Sequence, residues 1–181
     1  MIAPHPLTNH KILQMAYVVR DLKAAARYWT DTFGIGPFFV LDRPQVGTPL
    51  YRGRPQAVEF SAALAQAGDI HVELIEQHCQ SPSCYRDLVP EGRDGFHHVA
   101  VIVEDYEAEV ARYRGLGFEV ASSGTFGPLK FCYVDTSPAL GCMVEVLEDL
   151  PFIHNYFARV RAAGEAWDGT DPLRDASALA G

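Results

Sequence analysis

Two stretches of this chain are copies of one another, and that repetition limits the fold more than any other feature of the sequence. With Gln14 set over His98, the run Gln14-Met15-Ala16-Tyr17-Val18-Val19-Arg20-Asp21 aligns with His98-Val99-Ala100-Val101-Ile102-Val103-Glu104-Asp105 without a gap. Ala16/Ala100, Val19/Val103, Asp21/Asp105 and then Ala24/Ala108 coincide. Further along, Asp69 to Glu76 lies over Gly141 to Glu148, and Val72/Val144, Glu73/Glu145 and Glu76/Glu148 coincide.

Each copy opens with an apolar strand that ends at an aspartate able to cap a helix. The helices predicted over Leu22 to Phe33 and Tyr106 to Leu116 stop at Gly34 and Gly117, where a left-handed cap costs least. Strand-like runs follow at 37–41 and 57–64 in the first copy and at 118–122 and 129–135 in the second, so the unit is β-α-β-β-β. The expected fold class is α+β: two tandem βαβββ modules forming a curved mixed sheet around a shared cavity, with a C-terminal helix. The modules fall at 10–77 and 95–149, and residues 150–181 form a helix, predicted over 151–166, and a tail whose last ten residues are expected to be loose. The Pro/Gly-rich insert 42–55 and the joining stretch 77–94 are read as loops.

A formal charge of −8 with no Lys/Arg block argues against nucleic acid or an anionic membrane as partner. Residues 1–6 lack the charged and apolar regions of an export signal, and nothing approaches a membrane span, so a cytoplasmic protein is expected. Four cysteines at C-x4-C and scattered positions fit neither a disulfide framework nor a zinc knuckle and are read as reduced thiols.

Side chains alternate across a strand, so Gln14 shares a face with Ala16, and His98 with Ala100. In the closing strands His71 and Glu73 share one face, and Met143 and Glu145 another. Each half therefore projects one carboxylate among mainly apolar residues, and a buried carboxylate needs a partner. Isolated Gln, Glu and His on sheets usually sit at the surface; their recurrence at matched repeat positions points instead to a shared site. A divalent metal ion suits one imidazole, one amide oxygen and two carboxylates, with zinc, nickel, cobalt, manganese and iron as candidates. Ala16, Ala100, Met143 and His71 are the expected substrate contacts, although His71 is equally readable as a half-buried histidine bonded to a neighbour. A regular strand sends only one of His97 and His98 inward, and the repeat phase selects His98.

The runs Ile12-x-Gln14-x-Ala16-x-x-Val19-x-Asp21-Leu22 and His98-Val99-Ala100-Val101-x-Val103-x-Asp105, with the two Val-Glu-x-x-Glu strands, resemble the vicinal oxygen chelate superfamily over about residues 10–149. That superfamily includes glyoxalase I, methylmalonyl-CoA epimerase, extradiol dioxygenases and bleomycin-resistance proteins. The resemblance implies metal ligands at Gln14, Glu73, His98 and Glu145. It implies a metal-dependent isomerase, epimerase or lyase that moves a proton next to a carbonyl, with Glu145 as base and Glu73 on the opposite side. The alternative is a sequestering protein of the bleomycin-resistance type; a dioxygenase is disfavoured because Gln14 stands where histidine would be wanted.

The substrate is expected to be a small molecule. Arg20, Arg43, Arg52, Arg54 and Lys130 are available for an anionic one. Phe152, Tyr156, Phe157 and Trp167 could wall off an apolar substrate or pack on the sheet, and packing is expected. A homodimer is also expected, and the sequence leaves open whether the cavity forms within one chain or across a pair.

Overall fold

The computed structural model describes residues 9–179; residues 1–8, which include the stretch 1–6 read above for an export signal, and residues 180–181 lie outside them. The first module runs β1 (Gln14–Val18), α1 (Leu22–Phe33), β2 (Phe38–Leu41), the hairpin strands β3 (Gly47–Tyr51) and β4 (Arg54–Pro55), β5 (Phe60–Ala67) and β6 (Ile70–Gln77). A short helix α2 (Cys84–Leu88) joins it to β7 (Gly95–Val103), α3 (Tyr106–Gly115), β8 (Glu119–Phe126), β9 (Leu129–Asp135), the single turn α4 (Ser137–Leu140) and β10 (Met143–Glu148). The chain closes with α5 (Pro151–Glu165), β11 (Leu173–Asp175) and a 3-10 turn, Ala176–Leu179.

The repeat is carried into local detail. Asp21 and Asp105 each accept a hydrogen bond, 2.9 Å long, from the backbone N–H three residues on, at Ala24 and Ala108. Gly34 then ends α1 at φ 68, a conformation costly for any residue with a Cβ.

The eleven strands among the described residues form one mixed sheet in the order β11-β2-β5-β6-β1-β7-β10-β9-β8-β3-β4. The modules meet where β1 runs antiparallel to β7, with Gln14 opposite Ala100 and Ala16 opposite His98. In parallel pairings Ala16 lies beside Glu73 and Ala100 beside Glu145. These matched registers make the two halves a pseudo-two-fold pair, and both carboxylates flank the β1–β7 seam.

Alternation along the strands divides the core between two faces. Phe38, Ala63, Ala65, Val72 and Leu74 pack under Leu22 and Ala26 of α1, and Val101, Val103, Val144 and Val146 pack under Val110 and Tyr113 of α3. On the opposite face α5 packs through Ile153 against Ala100, Leu129 and Leu147, and through Val160 against Phe39 and Leu64. No helix among the described residues is long and apolar enough to cross a membrane, and the four cysteines are free thiols.

Several expectations are corrected. The insert 42–55 is not merely a loop: it holds the β3–β4 hairpin, whose Leu50 and Tyr51 pair with Ser123 and Ser122 of β8. Its tight turn at Arg52 (φ 47) and Gly53 (φ 75) has the two positive φ angles that favour such hairpins, but its partner strand lies some 70 residues away and leaves no local trace. Residues 173–179 of the tail are also structured, because β11 adds to the exposed edge of β2 and Ala176 is buried beside Phe39. The third strand of the first module runs at Phe60–Ala67 rather than 57–64, and β8 extends to Phe126.

A candidate metal centre at the floor of an apolar cavity

Gln14 of β1, Glu73 of β6, His98 of β7 and Glu145 of β10 converge within a single chain. Two in-register rows explain how. One runs Glu73–Ala16–His98–Met143 and the next His71–Gln14–Ala100–Glu145. The alanines separate larger polar residues, so four side chains reach one point without crowding. Ala16, Ala100 and Met143, expected as substrate contacts, are fully buried in this floor and are not on the cavity wall.

His98 Nε2 lies 3.5 Å from Glu73 Oε2 and 3.4 Å from Glu145 Oε2. The Gln14 amide nitrogen donates to Glu73 Oε2 at 2.9 Å and lies 3.4 Å from His98 Nε2. His98 has no solvent exposure, Gln14 has 3% and Glu145 8%. The Glu73 side chain keeps 19% and faces the cavity. Burial, and then the neighbouring charge of Glu145, holds the Glu73 carboxyl well above the usual carboxylate range.

This arrangement fits a divalent cation. The ligand atoms of Glu73, His98 and Glu145 lie within 4.8 Å of one another. A tetrahedral shell of ligands at about 2.1 Å sets neighbouring ligand atoms about 3.4 Å apart, which matches the His98 to Glu145 spacing. A positive ion would also offset the burial and the Glu145 charge that hold the Glu73 carboxyl high. A half-turn of the Gln14 amide would present its oxygen in place of its nitrogen.

His97 supplies a feature that strand alternation alone would miss. Ala16 pairs with His98 and Tyr17 with Phe96, so His97 is an unpaired bulge residue. The bulge turns both imidazoles to the same side, correcting the expectation that His97 faces away. His97 Nε2 lies 3.0 Å from the Cys84 carbonyl oxygen, which can only accept, so that nitrogen carries a proton. Burial and then the neighbouring His98 lower the His97 pKa to about 3, and the ring is neutral. Its Nδ1 therefore accepts from His98 Nδ1–H at 2.9 Å, which leaves His98 Nε2 as the nitrogen facing the carboxylates.

Above this floor lies a cavity of about 120 Å³, walled by Leu41, Leu64, Tyr85, Leu129, Phe131, Tyr133, Leu147, Ile153, Tyr156 and Phe157 among others, with no Lys or Arg on its wall. It adjoins a larger outer space of about 580 Å³ with more polar walls, including Arg43, Ser81, Ser122 and Ser123. Phe152, Tyr156 and Phe157 thus wall the cavity as well as packing on the sheet, whereas Trp167 packs against Gly36. His71 is covered by Phe157 at 4.3 Å between ring centroids and bonds through Nδ1 to the Leu13 carbonyl. It is not on the cavity wall.

Four of the five basic candidates are paired with acidic side chains: Arg20 with Asp94, Arg43 with Glu59 on the wall of the outer space, Arg52 with Asp87 and Asp135, and Lys130 with Glu107. Sequence reasoning missed Tyr85, Tyr133 and the role of His97. The alternation of Phe131 and Tyr133 in β9 could have indicated the first of these wall strands, but nothing local marks Tyr85 in the joining segment.

Paired βαβββ modules that bring an imidazole, an amide and two carboxylates to the floor of one cavity define a class of two-module proteins with a shared central site. Residues 13–133 match the Glyoxalase/Bleomycin resistance protein/Dioxygenase superfamily, and the chain belongs to that vicinal oxygen chelate family. A hypothetical protein from Bacillus halodurans C-125 is similar in structure, with TM-score 0.57, 17% identity and coverage of 79% of this chain and 96% of its own. Methylmalonyl-CoA epimerase from Mycobacterium tuberculosis is similar at TM-score 0.53 and 16% identity, covering 83% of this chain and 97% of its own. No curated protein sequence matches. Helix α5 and the strand β11 lie outside the matched region.

Proposed function

We propose that this protein is a metal-dependent isomerase, epimerase or lyase that moves a proton on a carbon next to a carbonyl. Gln14, Glu73, His98 and Glu145 would hold a divalent ion. When bound, that ion supplies Lewis-acid polarisation of a substrate oxygen. Glu73 and Glu145 approach His98 from strands on opposite sides of the seam. A reaction that takes a proton from one face of a carbon and returns it to the other needs two such groups. Glu145 takes the proton and Glu73, on the opposite side of the seam, returns one. The apolar wall excludes bulk water and so strengthens each of these interactions. The protein is read as acting on a small molecule and as forming a homodimer, which sedimentation would measure.

The observation that carries this reading is the convergence of the four side chains with His98 Nε2 directed at both carboxylates. A second reading, sequestration of a small molecule without chemistry, draws support from the apolar wall. Elemental analysis separates the two. The enzyme reading expects a divalent metal in wild-type protein purified without chelator, its loss in folded His98→Ala and Glu145→Ala variants, and solvent-deuterium exchange into a carbonyl substrate. A wild-type protein that cannot be loaded with zinc, nickel, cobalt, manganese or iron leaves only sequestration.

A further inference from the structure

Three side-chain polar atoms among the described residues are withdrawn from solvent and have no hydrogen-bond partner: Gln66 Oε1, His71 Nε2 and Tyr156 Oη. Buried polar groups are nearly always paired, so each such atom calls for an explanation. Tyr156 differs from the other two because it stands on the wall of the inner cavity. Burial, and then the charge of Glu73, push its proton affinity up, so the hydroxyl is a donor with nothing to donate to. It is carried by α5, whose Ile153 packs against Leu129 and Leu147 on the sheet. Helix α5, anchored through Ile153 and Val160, thus holds an unused donor near Glu73.

The surrounding wall limits what could accept that hydrogen bond. The cavity measures about 120 Å³ and presents no Lys or Arg, and an apolar cavity of about 150 Å³ holds a benzene ring. In the outer space the one basic group, Arg43, is paired with Glu59 and Asp42. A phosphate or carboxylate tail therefore meets no free cation at this entrance.

We infer that the Tyr156 hydroxyl donates a hydrogen bond to a carbonyl or hydroxyl oxygen of the substrate, and that the substrate has an uncharged, apolar body about the size of one six-membered ring. The assignment of Tyr156 to a reacting molecule rests on the function proposed above, whereas the apolar body of the occupant follows from the wall, whose only charged groups are Glu73 and Glu145 at its floor. Helix α5, beyond the region shared with the family, is then the element that selects the substrate.

Acetophenone and ethylbenzene test this, because they match in shape and differ in one acceptor oxygen. Their binding to the full chain, wild type and Tyr156→Phe, is measured by calorimetry or ligand-observed NMR, with metal content determined on the same samples. Acetophenone is expected to bind wild type and to weaken about five- to tenfold in Tyr156→Phe, the worth of one neutral hydrogen bond. Ethylbenzene is expected to be unaffected. Thermal stability should not fall in Tyr156→Phe, because no internal hydrogen bond is removed.

Equal acetophenone affinity in the two proteins, failure of both probes to bind, or a Tm loss of several degrees would each overturn the inference. So would tighter binding of S-hexylglutathione or propionyl-CoA than of acetophenone. A metal-free protein that passes the acetophenone test keeps the apolar occupant and loses the proposed reaction centre. A metal-loaded protein that fails it keeps the reaction centre and loses this occupant.

Discussion

Nδ1 of His97 lies 2.9 Å from Nδ1 of His98, and the direction of that hydrogen bond determines which nitrogen of His98 carries its proton and which is left to face the carboxylates with a lone pair. The Cys84 carbonyl orients His97, His97 orients His98, and His98 Nε2 is left pointing at Glu73 and Glu145. A bulge in β7 makes the relay possible by placing consecutive residues on one side of the strand.

Replacing His97 with phenylalanine keeps the ring's bulk and removes the acceptor for His98 Nδ1–H. Loss of such an outer hydrogen bond typically costs about 10- to 100-fold in metal affinity, and that range is the expected result of a zinc or manganese titration of His97→Phe. An unchanged affinity with an unchanged fold would show that the relay does not control His98.

Metal and protonation compete for Glu73. Its carboxyl is held above the usual range by burial and by Glu145, so in the metal-free protein the folded state binds a proton more tightly than the unfolded state. Stability from this group is present at low pH and is lost as pH rises through the folded value. Glu73→Gln should therefore stabilise the metal-free protein at pH 8, by a margin that shrinks toward pH 5, in paired urea titrations. A saturating divalent metal should raise Tm in wild type, by about 2.7 kcal/mol of stability at 100 times its Kd, and should leave Glu73→Gln closer to its metal-free Tm.

Two histidines act with the opposite sign. Burial lowers His71 to about 4 and, with the neighbouring His98, lowers His97 to about 3. Below pH 6.5 the unfolded chain takes up protons at these positions that the folded protein refuses, so their stabilisation is complete above that pH and is lost on acidification. Each contributes a slope of up to about 1.4 kcal/mol per pH unit. His71→Phe, stacked on Phe157 in the same place, should flatten the loss of stability between pH 6 and 4 by about one group's share.

The tail is a structural element and should behave as one. Deleting residues 170–181 removes the β11 pairing to β2 and the burial of Ala176 beside Phe39. It also uncovers part of the contact with Tyr156 and Phe157. An expected loss of at least about 2 kcal/mol, the worth of burying one large apolar side chain, would appear as a lower urea midpoint. No loss would mean that the tail only rests on the sheet.

What the sequence alone determined is the paired architecture and the four members of the cluster. Both are properties of period: strands alternate every two residues, helices start at Asp caps and stop at a glycine or just before one, and a repeat carries its side-chain phase from one half to the other. Gln14 over His98 and Glu73 over Glu145 fall into matched registers for that reason. Tertiary structure decided what depends on contacts between distant segments. The β3–β4 hairpin is stable only against β8, β11 only against the edge of β2, and His97 turns inward only because the β1–β7 register slips by one residue there. The cavity wall likewise draws Tyr85 from the joining segment, Tyr133 from β9 and Tyr156 from α5. No local pattern links those three tyrosines, because burial of a side chain in a shared cavity is set by the whole sheet's curvature and by the helix that closes it.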